Sequence, residues 1–535
     1  MENLNLKNFC DFCKNNIPLL IATTLALFFC YGIKLFQYST GIDTELFING
    51  ASNWLKYNIS TGRFGLSLLM WLLSIKGFNH FTAFFGAFCL IWLFTISHAY
   101  IIALLCKNTG KNNTLIPFAL VFISSPIWAE QFYFVFQARE VALMVLLCPF
   151  TIYIMFKGFI DNKKGNIIFA FLSLIFMTSV YQAMVPFFCC GVFICFMLFL
   201  ETSDYEAKTY RNLCLKIFAM LICAIVVYAV IYKILIPSIF MENRDTENYY
   251  KWGRISIKEN ISYILSSARI ITGIHHTGIF EPNAFENILL FITSINKSNI
   301  FGNILLLPLA LLFIIKNIDI ARKKFTSDKK ILYIIASIGI PLSIMFLAIL
   351  GGSAPPIRAM FVVPIAFAFM FFFLIKNYSN KYRITIICFA LFTAAYQAQI
   401  TAQLLYSDQL RYNEDVRLAY EIRDAIVRTS LSNENLPVAI IGVYNIAEKF
   451  HANPNFMKGE LFGESFFEWG GGGRNLGFMN CLGINFNSPN YEQKEKAIHE
   501  SVYMPSYPDS GFVKKLPDVI VVKLSDFDYD LQNNK

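Results

Sequence analysis

Two carboxylates stand two positions apart just after the first long apolar stretch of the chain, at Asp43 and Glu45. Carboxylates this close to lipid are costly unless water solvates them or the protein uses them. A partly desolvated carboxylate at a membrane edge can be tuned to remove the proton of a hydroxyl nucleophile. Asp43 is therefore a candidate general base. The alternative is that Asp43 is a solvated cap of a juxtamembrane helix that carries Trp54 at the interface.

Three arginines are predicted to lie at the same edge of the membrane: Arg63, Arg139 and Arg358. A guanidinium group can hold a phosphate through two parallel hydrogen bonds, so these residues are candidates for binding a lipid-linked phosphate. Arg358 follows a Gly-Gly and Pro-Pro stretch, which supplies the irregular backbone that a membrane cavity needs. The alternative for each arginine is snorkelling, or pairing with an acid such as Glu130 or Glu140.

Acidic and aromatic residues that suit a sugar lie in two further segments. Glu464, Glu468 and Trp469 precede four glycines, and Arg474 follows these glycines. Aromatic faces stack on sugars, and carboxylates accept hydrogen bonds from hydroxyl groups, so this segment is a candidate acceptor site. Trp252 lies in a second aromatic segment with the same potential. The alternatives are a spacer loop at the glycines and interfacial anchoring at Trp252.

The elements that must position these residues are membrane helices. Of the 535 residues, 56% are hydrophobic and only 15% are charged, against about 25% charged in a soluble domain. This composition excludes an ordinary soluble enzyme, a disordered chain and a disulfide scaffold, and the net charge of +9 requires no nucleic acid. Apolar stretches long enough to cross a bilayer predict about eleven transmembrane helices. They lie near 17–35, 81–105, 114–128, 140–156, 166–180, 184–200, 214–236, 298–315, 331–350, 359–375 and 384–405.

The lysines and arginines between these segments predict the orientation of the chain, because cytoplasmic loops are enriched in them. The N-terminus is predicted to be cytoplasmic, and the large loops 36–80 and 237–297 to be outside. Segment 64–75 is apolar but too short to cross, which indicates an interfacial or re-entrant piece. The predicted transmembrane domain is 1–405. The basic clusters that support this orientation are Lys157/Lys163/Lys164, Lys208/Arg211/Lys216, Arg322/Lys323/Lys324/Lys329/Lys330 and Lys376/Lys381/Arg383.

Residues 406–535 are more polar and are predicted to form a small extracytoplasmic α/β domain. The segment 408–429 has the pattern of an amphipathic helix. The β-branched runs 437–444 and 518–524 are bounded by turn residues and suit strands. The helices and this domain together predict a polytopic α-helical membrane protein.

The sequence predicts neither a metal site nor a cofactor. Cys10 and Cys13 form a C-x-x-C pair with no second Cys or His pair nearby, and the adjacent His275 and His276 point different ways on a helix or strand. Cys481 is the one cysteine predicted to lie outside, so no disulfide framework is expected. A requirement for a divalent metal is left open.

The first outer loop carries a short pattern that resembles a known family. Ile42-Asp43-x-Glu45 is followed by Trp54 and then by Gly62-Arg63-Phe64. This pattern resembles the start of the phage-type O-antigen glucosyltransferases, the serotype-converting enzymes of the bacterial inner membrane. The likeness extends to the layout of the whole chain, including the outer C-terminal segment with its Phe-Phe-Glu-Trp stretch. That family is similar to the GT-C superfamily, whose members take sugars from polyprenyl-phosphate donors on the outer face.

The resemblance implies transfer of a hexose, glucose in this family, from undecaprenyl phosphate to a lipopolysaccharide O-antigen or a similar glycan. It implies inversion at the anomeric carbon, a lipid environment and a periplasmic C-terminal domain. Asp43 matches the essential acid of the first outer loop. Because many relatives carry two adjacent acids there, the choice between Asp43 and Glu45 stays open. Arg139 and Arg358 would then stabilise the departing phosphate.

Two other classes of membrane protein fit the same composition. A transporter or flippase of lipid-linked sugars would line a path with its charged residues. A transporter would normally carry its charged residues at mid-membrane. It would also have little use for the about 130 residues predicted to lie outside after the last helix. An O-antigen polymerase or ligase would join whole repeat units. The sequence favours the glycosyltransferase and retains both alternatives.

Overall fold

The computed structural model describes residues 4–73, 77–237, 251–273, 300–429, 436–450, 453, 456–468 and 473–526. These residues belong to two compact units. The first unit comprises residues 1–35, 55–132 and 137–402, and the second comprises residues 36–54, 133–136 and 403–535. The division predicted from sequence, at residue 405, did not assign the two short segments 36–54 and 133–136 to the second unit.

Helices dominate the described residues. In chain order they are α1 (Leu6–Asn15), α2 (Ile17–Tyr31), α3 (Ile33–Phe36), α4 (Thr44–Asn49), α5 (Ala51–Ser60), α6 (Phe64–Leu73), α7 (His80–Leu105), α8 (Leu115–Ser124), α9 (Pro126–Phe132), α10 (Val135–Ile160), α11 (Lys164–Val180), α12 (Met184–Thr202), α13 (Ala207–Val230, extended by a π turn Ile231–Leu235), α14 (Ile257–Thr272), α15 (Leu306–Lys324), α16 (Ser327–Ser343), α17 (Phe346–Gly351), α18 (Val362–Asn377), α19 (Asn380–Thr429), α20 (Ile446–Lys449), α21 (Arg474–Cys481) and α22 (Tyr491–Ser501). A 3-10 turn, Ile357–Ala359, precedes α18.

The first unit is built around α18, whose residues from 362 to 375 are all buried. A helix that is apolar on every side belongs in the interior of a bundle. Helices α8, α12 and α15 pack against it. Trp128 of α9 stacks on Phe361 with the ring centroids 5.6 Å apart, and its indole N–H donates to the carbonyl oxygen of Phe122 at 2.9 Å. The buried indole therefore has both its aromatic contact and its hydrogen bond.

Only some of the helices are long enough to cross a membrane by themselves. Among the described residues, five are long and apolar enough, and the number rises to seven if each of two bent helix pairs forms one span. Each of the eleven predicted segments overlaps a helix, but several of these helices have 15 to 17 residues. Helix α6 has 10 residues and stays too short to cross, as segment 64–75 was predicted to be. The protein is a helical membrane protein, and the count of eleven spans stays a prediction.

The second unit contains a three-stranded sheet. Its strands are β1 (Val438–Ile441), β2 (Val513–Lys515) and β3 (Ile520–Lys523), in the order β1-β3-β2. β1 pairs with β3 in parallel, and β2 pairs with β3 antiparallel. Helix α22 covers the sheet, and the two share a small apolar core that includes Ile441, Ile498 and Val521. β1 and β3 lie inside the two predicted strand segments, whereas the short β2 was not predicted.

The amphipathic segment 408–429 is helical, as its pattern predicted. It continues the last apolar helix without a break, so that α19 has 50 residues. The physical reason is the absence of glycine and proline between residues 380 and 429, because these are the residues that end or kink helices. Glu414 and Glu421 flank Arg417 at helical spacing and pair with it, which supports the polar half of the helix.

Candidate active site

The two acids Asp43 and Glu45 are joined by one arginine inside the second unit. Arg474 donates from Nη2 to Oδ1 of Asp43 at 2.8 Å and from Nη1 to Oε1 of Glu45 at 2.8 Å. The arginine lies 429 residues beyond Glu45 in the chain. One guanidinium group thus holds two carboxylates side by side, which limits their mutual repulsion.

Glu45 is the buried member of this pair. Its side chain is fully buried, and its Oε2 atom accepts no hydrogen bond from the described residues. Burial, opposed by Arg474 and reinforced by the charge of Asp43, raises the pKa of Glu45 to about 7. A carboxyl group with this pKa changes its protonation near neutral pH, which is the range in which acid-base catalysts operate.

Asp43 is the accessible member, with 27% of its side chain exposed. It stands at the N-cap position of α4, but its side chain makes no capping hydrogen bond, and its backbone is left-handed, with φ at 72°. Aspartate tolerates this conformation better than most residues. The carboxylate is directed to Arg474 instead of to the helix N-terminus. The alternative interpretation of Asp43 as a helix cap is therefore wrong for its side chain.

Helices α4 and α21 place the three residues together. The side chain of Asn49 donates to the carbonyl oxygen of Gly477 at 2.7 Å, and a Cβ atom on Gly477 would lie 3.7 Å from Cγ of Glu45. α21 begins after Gly473, which is left-handed with φ at 76° and has open space around it. This glycine allows the chain to turn directly into the helix that starts with Arg474.

The loop before Asp43 is fixed by Tyr133. The tyrosine hydroxyl accepts a hydrogen bond from the backbone N–H of Ile42 at 3.1 Å. Its ring packs on Gly41, where a Cβ atom would come within 2.8 Å of the ring. The segment 133–136 therefore supports the loop that carries the acids.

A buried ionic cluster holds the start of the same loop. Arg411 is fully buried, and it pairs with Asp408 at 2.5 Å and with Asp415 at 3.1 Å. It also donates to the carbonyl oxygen of Thr40 at 2.9 Å, and Ser39 donates to Asp408 at 2.6 Å. If the loop moved away, Arg411 and Asp408 would lose partners while they remain buried, and unpaired buried charges are costly. The cluster therefore fixes the conformation of the loop. None of the residues of this cluster was predicted from the sequence as part of the site.

The three predicted phosphate-binding arginines belong to the first unit. Arg63 donates to Gln182 at 3.4 Å and lies 5.1 Å from the centre of the Tyr181 ring. Arg139 pairs with the buried Glu140 at 2.9 Å, which is one of the alternatives that its sequence allowed. Arg358 lies in the 3-10 turn between α17 and α18, at the irregular backbone expected from the glycines and prolines.

The predicted sugar-binding residues are scattered over both units. Trp252 belongs to the first unit, is 45% exposed, and donates from its indole N–H to the carbonyl oxygen of Ile349 at 2.8 Å. In the second unit, Glu464 is half-buried. Glu468 accepts a hydrogen bond from the backbone N–H of Ile446 at 3.0 Å, so its carboxylate stabilises the local backbone. Trp469 lies outside the described residues, as do His275 and His276. Arg474 contacts the acids, a role that its sequence did not predict.

The described part of the chain holds no group of three or more His, Cys, Asp or Glu side chains arranged for a metal ion. The cation that contacts both acids of the site is the side chain of Arg474.

The burial of Glu45 predicts how stability depends on pH. Its pKa is raised from 4.5 to about 7 in the folded protein, so the stabilisation from its proton is full below about pH 4.5 and is lost as pH rises through 7. At about 1.4 kcal/mol per pKa unit, the stabilisation that is lost over this pH range amounts to about 3 kcal/mol. Glu45→Gln should flatten the decline of melting temperature between pH 5 and pH 8, measured on the full chain in detergent. The control Glu492→Gln, at an exposed acid, should retain the decline. An equal decline in Glu45→Gln and wild type would contradict the assignment.

Apolar helices and a carboxylate pair held by arginine define this protein as a helical membrane protein with a candidate acid-base site. Residues 32–375, more than half of the chain, match the family described as Glucosyl transferase GtrII. The chain therefore belongs to the GtrII glucosyl transferase family and is a glycosyltransferase, which confirms the resemblance seen in the sequence. The matched region includes both acids, whereas Arg474 lies beyond it. No curated protein and no solved structure matches the chain.

Proposed function

We propose that this glycosyltransferase moves a glucosyl unit from undecaprenyl phosphate to a lipopolysaccharide O-antigen, or a similar glycan, on the periplasmic side of the bacterial inner membrane. The observation that carries the proposal is the bridging of Asp43 and Glu45 by Arg474. This arrangement supplies a fixed, accessible carboxylate in the loop where a general base is needed. The family supplies the sugar-transfer chemistry.

Asp43 is proposed as the base that contacts the acceptor. Its carboxylate is partly exposed, whereas Glu45 is fully buried and cannot reach a bulky glycan hydroxyl without rearrangement. Glu45 is then a positioning residue, because it shares Arg474 with Asp43 and orients the guanidinium group. This proposal makes a choice that the sequence left open.

The proposed reaction is a single displacement. Asp43 takes the proton of the acceptor hydroxyl, and the oxygen attacks the anomeric carbon of the lipid-linked glucose. A new carbon–oxygen bond forms as the bond from the anomeric carbon to the phosphate oxygen breaks. The phosphate leaves with the electron pair, and attack from the opposite face inverts the anomeric configuration.

The departing lipid phosphate requires positive charge, which we assign to Arg63, Arg139 and Arg358. Arg139 already shares its charge with Glu140, so it contributes less than a full positive charge. The guanidinium carbon of Arg63 lies 5.1 Å from the centre of the Tyr181 ring, and Nε of Arg63 donates to Gln182. The acceptor glycan is assigned to Glu464, Glu468, Trp469 and Trp252.

We infer the orientation in the membrane from the basic loops. With the N-terminus in the cytoplasm, segment 36–54 and residues 406–535 are periplasmic, and so are the two acids and Arg474. A donor that arrives attached to lipid fits this side, because nucleotide sugars are cytoplasmic. The donor, the acceptor and the membrane lipid are the partners of the protein in this proposal, and no cofactor takes part.

Lipopolysaccharide from cells that express the protein tests this function against the polymerase and ligase. A branch glucosyltransferase adds mass within each repeat but leaves the number of repeats and their attachment unchanged. We therefore expect the ladder of bands on a gel to keep its modal repeat number, while mass spectrometry finds one added hexose per modified repeat. The matched control is the Asp43→Asn variant, which should show no added hexose. A changed modal length, or loss of the attached O-antigen, would instead support the polymerase or ligase.

A further inference from the structure

A cavity of about 260 Å³ opens in the first unit between the first turns of α13 and α16. Its lining residues are Ala207, Lys208, Arg211, Asp328, Ile331 and Leu332. α13 and α16 pack against each other, and both begin at this cavity. Two helix N-termini therefore add partial positive charge to a pocket that already contains two basic side chains.

The two basic side chains of the cavity are not committed to other groups. Neither Lys208 nor Arg211 forms a hydrogen bond or an ion pair with another residue that the structure describes. Asp328, the acid across the cavity, likewise forms no ion pair with a described residue. The neighbouring Lys329, by contrast, pairs with Asp204 at 3.1 Å. The cavity thus keeps two cations available to an anion.

Apolar stripes run from the cavity along both helices. On α13, Lys208 and Arg211 lie three residues apart, and exposed apolar side chains follow Arg211 at alternating spacings of four and three residues. On α16, exposed apolar side chains follow Asp328 at alternating spacings of three and four residues. Such spacing keeps the members of each stripe on one helix face. The stripe residues are Leu215, Phe218 and Ile222 on α13, and Ile331, Ile335, Ile338 and Leu342 on α16.

We propose that this cavity binds the phosphate headgroup of an anionic phospholipid, with the acyl chains lying along the two apolar stripes. Lys208 and Arg211 contact the phosphate, and the stripes supply a surface that a free phosphate would not use. The basic loops that contain these residues place the site in the cytoplasmic leaflet. This leaflet is opposite to the one in which the proposed transfer takes place, so the site is a lipid site distinct from the donor site.

Native mass spectrometry of the full chain in detergent tests the proposal, with phosphatidylglycerol as the probe. A basic residue near an anionic headgroup is worth about fivefold in affinity, so Lys208→Ala combined with Arg211→Ala should weaken phosphatidylglycerol binding roughly 30-fold. Phosphatidylcholine and glycerol 3-phosphate should bind much more weakly than phosphatidylglycerol to the wild type. The matched control, Lys216→Ala combined with Arg383→Ala, removes the same charge outside the cavity and should stay within about twofold of the wild type.

Asp328→Asn keeps the proposal testable if the double variant fails to fold. Removal of the one acid in the lining should strengthen phosphatidylglycerol binding about fivefold, a gain that a damaged protein would not show. Three results would overturn the proposal: unchanged affinity in both cavity variants, an equal loss in the control variant, or binding of glycerol 3-phosphate as strong as that of the lipid.

Discussion

Asp43→Asn is expected to lower the rate of glucosyl transfer by a factor of about 10² to 10⁴, which is the usual contribution of a general base. Asparagine has nearly the shape of aspartate, tolerates the left-handed backbone at this position, and can still accept a hydrogen bond from Arg474. It cannot accept the proton of the acceptor. The measurement is the initial rate of transfer by the purified protein at saturating donor and acceptor.

Glu45→Gln is the matched comparison, because it makes the same chemical change two residues away. As a positioning residue, Glu45 should affect the rate less, by roughly 10-fold, and the variant should keep more activity than Asp43→Asn. Melting temperatures would show that both variants are folded. Normal rates in both variants would refute the proposed mechanism, and a larger loss in Glu45→Gln would make Glu45 the base.

Arg474→Ala is expected to be the most destabilising single substitution at the site. It removes the cation from the fully buried Glu45 and leaves two carboxylates facing each other. Removal of one partner from a buried ion pair costs about 3–5 kcal/mol. The loss should be larger at pH 8 than at pH 5.5, because a protonated Glu45 needs no cation and its pKa is already raised to about 7. Thermal unfolding of the full chain in detergent at both pH values measures the difference.

A double-mutant cycle separates the ion pair from other effects of Arg474. In the Glu45→Gln background, Arg474→Ala should cost much less than in the wild type at pH 8, because no buried charge is left behind. Arg474→Lys should lie between the two, since an ammonium group lacks the planar fork that contacts both acids at once. Equal losses at the two pH values, or additive losses in the cycle, would contradict this role for Arg474.

The sequence predicted the two acids but not what holds them. Asp43 and Glu45 were found because acids are rare beside an apolar stretch, and that signal is local. Arg474 was predicted to contact a sugar. The residues beside it in the sequence do not indicate that its partner, Glu45, lies 429 positions earlier. Pairing over that distance depends on how α4 and α21 pack. A local pattern does not contain this information.

Other parts of the site did leave a signal in the sequence. Asp408, Arg411 and Asp415 follow helical spacing and lie on the face of α19 that is buried further on at Ile422. Charged residues on the apolar face of an amphipathic helix predict a buried ionic cluster. The same segment has no helix-breaking residue, so its continuity with the last apolar helix could also have been predicted.

The fold was predicted more completely than the site. Helices overlap every predicted span, and two of the three strands were located from β-branched runs between turn residues. The contribution of 36–54 and 133–136 to the second unit was not predicted, because hydropathy assigns a loop to the helices it connects. Gly41 of the first segment packs on Tyr133 of the second, a contact that hydropathy does not reveal.

Transfer in proteoliposomes is the most direct test of the proposed reaction. The purified full chain is reconstituted with glucosyl undecaprenyl phosphate as the sole sugar donor, and radiolabelled glucose is followed into an O-antigen acceptor. We expect a glucosylated product that depends on the wild-type Asp43 and is nearly absent with Asp43→Asn. Movement of the lipid-linked glucose across the bilayer with no glycan product would contradict it and identify a flippase. Transfer that requires a nucleotide sugar would contradict the proposed donor.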